Sequence, residues 1–203
     1  FRACARRHVT PFVKLVLAST SPYRRELLAR LRLPFEVASP GTDEKRLPGE
    51  APEQLARRLA LEKARAVATR HADALIIGSD QVAVCEGEIL GKPGNHERAV
   101  EQLRRLSGRE AVFHTAVCLL DAGRGEAGLR VVPYHVKFRR LDEQGIERYL
   151  SVDQPYDCAA SAKAESLGIA LLEYMRGDDP TALIGLPLIA VVSLLQEAGV
   201  RVP

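Results

Sequence analysis

Residues 75–81 of the chain read Leu-Ile-Ile-Gly-Ser-Asp-Gln. The apolar run that opens this stretch is too short for a helix and ends at Gly78, so it predicts a buried strand. Ser79, Asp80 and Gln81 would then lie at the carboxyl end of the strand, where open α/β sheets bind their ligands. The stretch therefore predicts both the centre of the sheet and the edge at which a site would form.

A lysine returns toward the same edge farther along the chain. Gly87 marks a turn, and Gly-Lys-Pro follows at 91–93, so a hairpin would bring Lys92 near Asp80 and Gln81. An acid, an amide and a cation together suit a phosphate ester or anhydride bound with a metal ion. Taken singly, Ser-Asp and Gly-Lys-Pro are more often ordinary turns or helix caps.

The first strand leads directly into a helix. The apolar residues of 14–19 predict the strand, and Ser21 is placed to cap a helix that has proline in its first turn. Backbone N–H groups at such a helix start, with Ser19, Arg24 and Arg25, would bind an anion. An ordinary capped helix with solvated arginines fits the same pattern.

Three further charged candidates lie on a long amphipathic helix or in the loop before it. Asp43 and Glu44 lie in the loop 40–52, where they would hold a divalent cation or form solvated surface. The helix predicted over 53–71 carries Lys63, which fits either a phosphate ligand or a surface charge.

The second half of the chain continues the mixture of strands and helices. The pattern predicts strands over 110–121, 129–141 and 169–174, and helices over 95–106 and 142–151. A last helix after Gly185 would be buried through Ile189, Val192 and Leu195. Residues 123–128 match G-x-G-x-x-G, but they lead into a strand and are predicted to form a hairpin loop. The whole predicts a mixed-sheet α/β fold.

Composition excludes several classes of protein. With 203 residues, 46% of them hydrophobic and 27% charged, the chain fits one globular domain or two closely joined lobes. A net charge of +3 and 5% aromatic residues predict no nucleic-acid partner. No apolar stretch is long enough to span a membrane. Residues 1–12 have no apolar core typical of a secretion signal and are interpreted as an extension outside the fold.

The cysteines are predicted to be free. Cys4, Cys85, Cys118 and Cys158 have no metal-binding spacing, so they fit free thiols in a reducing cytoplasm.

Four segments in order give the chain a resemblance to a known family. They read STSPYRRELL at 19–28, GSDQ at 78–81, GKP at 91–93 and DPTALIGLP at 179–187. The chain resembles the Maf family of nucleoside triphosphate pyrophosphatases over about residues 14 to 200. The resemblance implies a Maf or ITPase-like α/β domain over 13–203. That domain would have an elongated mixed sheet flanked by helices, two lobes around a central nucleotide cleft, and a homodimeric assembly.

Within that family the chain is similar to the branch that hydrolyses 7-methyl-GTP. Tyr23 follows Ser-Pro where the branch acting on dTTP and UTP generally has arginine, and residues 156–165 resemble the segment Cys-Ala-Gly-Ser-x-Lys-x-Glu, which ends at Glu165. Ala160 stands at the glycine position of that segment. A cationic 7-methylguanine base would suit an aromatic face and a carboxylate.

The resemblance implies a role for each candidate residue. Asp80 is the general base, and Glu44 with Asp80 holds Mg²⁺ or Mn²⁺. The triphosphate ligands would be Ser19, Arg24, Arg25, Lys63, Gln81 and Lys92. Base specificity would come from Tyr23, Gln81 and Glu165. Two alternatives stay open: the same hydrolysis of dTTP and UTP, and a non-catalytic regulator of cell division.

Overall fold

The computed structural model describes residues 14–202, so the extension proposed for residues 1–12 lies outside the described part. Within these residues the strands are β1 (Leu15–Ala18), β2 (Glu36–Ala38), β3 (Leu75–Cys85), β4 (Glu88–Leu90), β5 (Glu110–Asp121), β6 (Glu126–Phe138) and β7 (Leu172–Arg176). The α-helices of the same part of the chain are α1 (Pro22–Ala29), α2 (Pro52–Ala68), α3 (His96–Leu106), α4 (Glu143–Asp153), α5 (Pro180–Ile184) and α6 (Leu188–Glu197). Short 3-10 helices occupy Ala159–Ser161 and Leu167–Leu171.

The strands form one mixed sheet in the order β2-β1-β3-β5-β6-β7, with β4 paired to the far end of β3. β1 pairs in parallel with β2 and β3, whereas all the other neighbours are antiparallel. The predicted mixed α/β fold is therefore confirmed, and so is the hairpin at 123–128, because Asp121 pairs with Glu126 and no helix follows.

The central strand is longer than the sequence indicated. β3 does not end at Gly78 but stays paired with β5 as far as Cys85. Gly78 has a packing role instead, because a Cβ there would clash with the backbone of Ala60 in α2. β1 stops beside Gly78, so Ser79, Asp80 and Gln81 begin where the parallel neighbour ends. The polar residues thus lie in mid-strand, at the carboxyl end of β1.

Alternate residues of the central strands bury opposite faces of the sheet. Ile76 and Cys118 belong to a cluster with the apolar stripe of α2, whereas Ile77 and Val117 pack with α1 and α6. A third cluster joins α3 and α4 to the other end of the sheet. Helices therefore cover both faces, as predicted.

The predicted helix starts are confirmed by their caps. Ser21, Asn95 and Asp142 each accept a hydrogen bond from the backbone three residues later, at 3.4, 3.0 and 2.6 Å respectively.

Two strands and part of one buried face were predicted wrongly. The strand expected over 169–174 starts at Leu172, because the preceding residues wind into a 3-10 helix. β6 begins and ends three residues earlier than 129–141. In α6, Leu195 is buried as expected, but Ile189 is 59% exposed, and Leu188, Val191 and Leu194 form the rest of the buried face.

In the described residues no helix is both long and apolar enough to cross a membrane. Cys85, Cys118 and Cys158 are free, while Cys4 lies outside the described residues.

Candidate active site

A cleft of about 560 Å³ opens where β1 ends. Its walls come from the start of α1, the loop after β2, α2, the middle of β3, the β3–β4 hairpin and the segment 157–165. The predicted site residues that line it are Ser19, Tyr23, Arg24, Glu44, Lys63, Asp80, Gln81, Lys92 and Glu165. Arg25 is exposed and does not line the cleft. Adjacent residues of an α-helix point in different directions, and of these two arginines only Arg24 faces the cleft. Asp43 is exposed as well and bonds to the backbone of Lys45.

An ion-pair cluster of two buried groups, Lys63 and Asp80, and one exposed carboxylate, Glu44, lines the cleft. The Nζ of Lys63 is 2.6 Å from an oxygen of Asp80 and 2.6 Å from an oxygen of Glu44. Lys63 is only 5% exposed, so its interpretation as a surface charge was wrong. Its position follows from the helix: Lys63 lies one turn after Leu59 and one turn before Val67, on the buried stripe of α2.

The two carboxylates of this cluster differ in pKa. Burial raises the pKa of Asp80 above its usual range, although Lys63 and Arg24 oppose the rise. Burial also opposes ionisation of Glu44, but its hydrogen bond to Lys63 and the nearby positive charges hold its pKa below the usual range. The lowered pKa keeps the Glu44 carboxylate ionised at neutral pH, and the raised pKa gives Asp80 an increased affinity for a proton. An increased proton affinity is the property of a general base.

The start of α1 gathers donors at the wall of the cleft. The backbone N–H of Ser21 donates to the Ser19 hydroxyl at 3.1 Å, and Arg24 Nε donates to the Gly185 carbonyl at 2.8 Å. Desolvation lowers the pKa of Arg24, and the charges of Asp80 and Glu44 oppose this. Arginine stays cationic in proteins. The guanidinium is thus held at Nε, and within residues 14–202 no acceptor bonds to its remaining N–H groups, which leaves them available to an anion.

The amide of Gln81 is held on one side. Its Nε2 donates to Thr115 Oγ1 at 2.9 Å and to the carbonyls of Ala182 and Leu183 at 2.8 and 3.0 Å. Sequence reasoning missed Thr115 and these carbonyls. No side-chain pattern marks a backbone carbonyl, although the segment 179–187 had been noticed as a motif.

The loop that carries Glu44 is fastened to α2 by Arg58. The Arg58 guanidinium donates to both oxygens of Glu50, at 2.6 and 2.8 Å, and to the Lys45 carbonyl at 2.9 Å. The hydrogen bond from Arg58 lowers the pKa of Glu50 to about 2. Arg58 was also missed, because a helix-surface arginine has no distinguishing spacing.

A second group of lining residues surrounds Tyr23. Burial raises the pKa of Tyr23, with added contributions from Cys158 and Asp157 and an opposing one from Lys163. Glu165 lines the cleft from the same segment, so this part of the wall carries the carboxylates of Asp157 and Glu165. Ala160 is buried with φ 60°, a left-handed conformation that glycine adopts at lower cost.

A mixed α/β sheet with a cleft that combines cationic donors and a buried carboxylate defines an anion-binding protein of hydrolase type. The sequence model of the Maf-like protein family matches residues 14–198. The chain belongs to the Maf family, as the resemblance predicted.

Named relatives cover almost the whole chain. A 7-methyl-GTP pyrophosphatase of Polaromonas sp. is 61% identical over 92% of this chain and 85% of its own length. Proteins of the same name from Cupriavidus pinatubonensis and Aromatoleum aromaticum are each 56% identical. These alignments cover 94% and 95% of this chain, and 96% and 99% of the relatives. Among solved structures, the Staphylococcus aureus Ham1 protein is similar with a TM-score of 0.44 and 17% identity, covering 62% of this chain and 71% of that one.

Proposed function

We propose that this chain hydrolyses nucleoside triphosphates, 7-methyl-GTP above others, between the α- and β-phosphates, giving the nucleoside monophosphate and pyrophosphate. The relatives named above support the reaction and the substrate. The observation that carries the proposal is Asp80, a carboxylate 6% exposed whose pKa is raised by burial and which lies among cations in a nucleotide-sized cleft.

Asp80 serves as the general base. Lys63 holds its Oδ1, and no group in residues 14–202 donates a hydrogen bond to its Oδ2. That second oxygen accepts the proton of a water molecule, and the resulting hydroxide attacks the α-phosphorus. The bond to the bridging oxygen breaks and pyrophosphate leaves with that oxygen.

Glu44 and Asp80 are suited to share a divalent cation, Mg²⁺ or Mn²⁺. Both offer hard carboxylate oxygens, and residues 14–202 contain no cluster of three or more His, Cys, Asp or Glu that would form a complete protein cage. Mg²⁺ is commonly bound by one or two carboxylates and completed by substrate phosphates. When bound, the cation would neutralise negative charge on the phosphate oxygens.

The triphosphate binds the cationic wall. Ser19, Arg24 and Lys92 line the cleft beside the Lys63 ammonium. An ammonium has three N–H donors, and Glu44 and Asp80 accept two from Lys63, so one remains for a phosphate oxygen. The exposed position of Arg25 gives its assignment as a phosphate ligand no support.

The nucleobase of the substrate is recognised by the part of the cleft wall around Tyr23. The positive charge of 7-methylguanine is attracted by the Tyr23 ring and by the carboxylate of Glu165, while the side-chain oxygen of Gln81 accepts a hydrogen bond from the base. Tyr23 and Gln81 line one cleft with Glu165, which supports this assignment.

The test is release of pyrophosphate from 7-methyl-GTP, GTP, dTTP, UTP, CTP and ITP, with Mg²⁺ or Mn²⁺ and with chelator. We expect 7-methyl-GTP to be preferred, chelator to stop the reaction, and Asp80→Asn to abolish turnover while nucleotide binding persists. Preference for dTTP and UTP would keep the chemistry and overturn the roles of Tyr23 and Glu165. Absence of release from every nucleotide would favour the regulatory alternative.

Homodimerisation and a cytoplasmic location belong to the same proposal. The family resemblance supports the dimer, and the free thiols of Cys85 and Cys118 are suited to a reducing compartment.

A further inference from the structure

The end of α5 supplies acceptors to the side chain of Gln81. The last carbonyl groups of a helix have no partner within the helix and must find donors elsewhere. Here the Ala182 carbonyl accepts from Gln81 Nε2 and from Thr115 Oγ1, both at 2.8 Å, and the Leu183 carbonyl accepts from Gln81 Nε2 at 3.0 Å. The α5 carbonyls therefore surround the amide nitrogen of Gln81 with acceptors.

Thr115 completes this set, although a hydroxyl can both donate and accept. Its one proton is used toward the Ala182 carbonyl, so its oxygen only accepts from Gln81, at 2.9 Å. The amide nitrogen carries two protons and all three of its neighbours are acceptors, so one proton is shared between two of them. A rotated amide would place Oε1 against three acceptor oxygens, so only one orientation of Gln81 is favourable.

In that orientation the side-chain oxygen of Gln81, Oε1, is available as an acceptor on the cleft side. No group in the described residues donates to Gln81 Oε1, and Gln81 itself lines the cleft. Thr115 is fully buried and does not line the cleft, so it acts on the site indirectly, through Gln81 and through the Ala182 carbonyl that it holds beside Gln81.

We propose that Thr115 is a positioning residue that fixes the Gln81 amide with its oxygen toward the cleft, so that the site selects bases presenting an N–H donor. The proposal rests on the proposed nucleotide hydrolysis. In 7-methylguanine the donors available to such an acceptor are N1–H and the N2 amine. The charge attraction at Tyr23 and Glu165 would recognise the methylated ring, and the acceptor at Gln81 would recognise its donor edge.

The experiment pairs protein variants with base analogues. Thr115→Val keeps the side-chain shape and removes the hydroxyl, and Thr115→Ser restores it. Val117→Ala is the matched control, because Val117 is buried on the same face of β5 and packs in the cluster with Leu17 and Ile77. KM and kcat are measured for 7-methyl-GTP, for 1,7-dimethyl-GTP, which lacks N1–H, and for 7-methyl-ITP, which lacks the N2 amine.

In the wild type, at least one analogue should be a poorer substrate by about fivefold or more, the value of one hydrogen bond. Thr115→Val should raise KM for 7-methyl-GTP by about fivefold with little change in kcat. The ratio of kcat/KM for 7-methyl-GTP to kcat/KM for the poorer analogue should therefore be smaller in this variant than in the wild type. Thr115→Ser should restore both, and Val117→Ala should lower the melting temperature without changing the discrimination.

Equal use of all three nucleotides by the wild type would overturn the inference even if Thr115→Val does not fold. The inference would also be overturned if Thr115→Val kept the wild-type preference for 7-methyl-GTP over the analogue. It would be overturned too if Val117→Ala lost as much of that preference as Thr115→Val. A wild type that is active under these conditions separates such a result from failure of the proposed hydrolysis itself.

Discussion

Replacement of Lys63 by methionine removes one charge from the ion-pair cluster and leaves its shape nearly intact. The side chains of Lys63 and Asp80 are 6% and 9% exposed, with 2.6 Å between the bonded atoms. Breaking a buried ion pair by removing one partner costs about 3 to 5 kcal/mol. Arg24 remains near Asp80 and the cleft admits water, so we expect the lower end, about 3 kcal/mol. For a chain of this length that loss lowers the melting temperature by about 6 to 12 °C.

The loss should depend on pH in a defined direction. Burial raises the pKa of Asp80 against the opposing charges of Lys63 and Arg24, so the pKa should rise further in Lys63→Met. A carboxyl with a raised pKa stabilises the fold while it is protonated, and this contribution is lost as the pH rises through the folded-state pKa. The variant should therefore be closest to the wild type in stability near pH 4, below the raised pKa, and fall behind toward neutral pH.

Two assays test this prediction together. Thermal unfolding between pH 4 and 8 measures the stability difference, and kcat/KM over the same range should show an acid limb at higher pH in Lys63→Met, because the base must be deprotonated. Lys92→Met is the control, since Lys92 is an exposed cation of the same cleft that does not bond to Asp80. A stability difference independent of pH, with an unmoved acid limb, would refute the role given to Lys63.

Two more perturbations test the walls of the cleft. Lysine in Arg58→Lys cannot reproduce the forked hydrogen bonds that hold the loop with Glu44 to α2. Trypsin should therefore cleave after Lys45 severalfold faster than in the wild type, as measured by mass spectrometry. Arg57→Lys, at an exposed position, should leave the cleavage rate unchanged. Gly78→Ala forces a methyl group into the backbone of α2 and should cost about 3 kcal/mol in urea unfolding, whereas Gly91→Ala, with open space around it, should be neutral. Equal cleavage in the two arginine variants, or a stable Gly78→Ala, would contradict these readings.

Sequence reasoning identified the elements well where a local pattern determines them. The capping residue Ser21 and the apolar stripe of α2 are local signals, and the structure has them as predicted. The length of β3 was missed because glycine commonly ends a strand, whereas Gly78 is required by the close approach of α2. A rule based on neighbours in sequence does not register a helix that packs from elsewhere in the chain.

The candidate site was predictable to the extent that side-chain chemistry identifies it. Asp80 and Gln81 could be chosen because they follow an apolar strand, at the edge where open α/β sheets bind ligands, and both line the cleft. Lys63 stayed ambiguous, although its spacing from Leu59 placed it on the buried stripe and could have resolved the matter. Thr115 could not be found, because its partners, the Gln81 amide and the Ala182 carbonyl, lie 34 and 67 residues away in the sequence.

The continuity of β3 bears on how the protein can move. Asp80 and Gln81 lie inside a ladder in which every residue from Leu75 to Cys85 is paired with β5. Amides within such a ladder exchange with solvent only through large openings of the sheet, so the backbone that carries Asp80 is held in place. In the proposed function the general base therefore has a fixed position, and a nucleotide has to enter in the orientation that brings its α–β anhydride to Asp80.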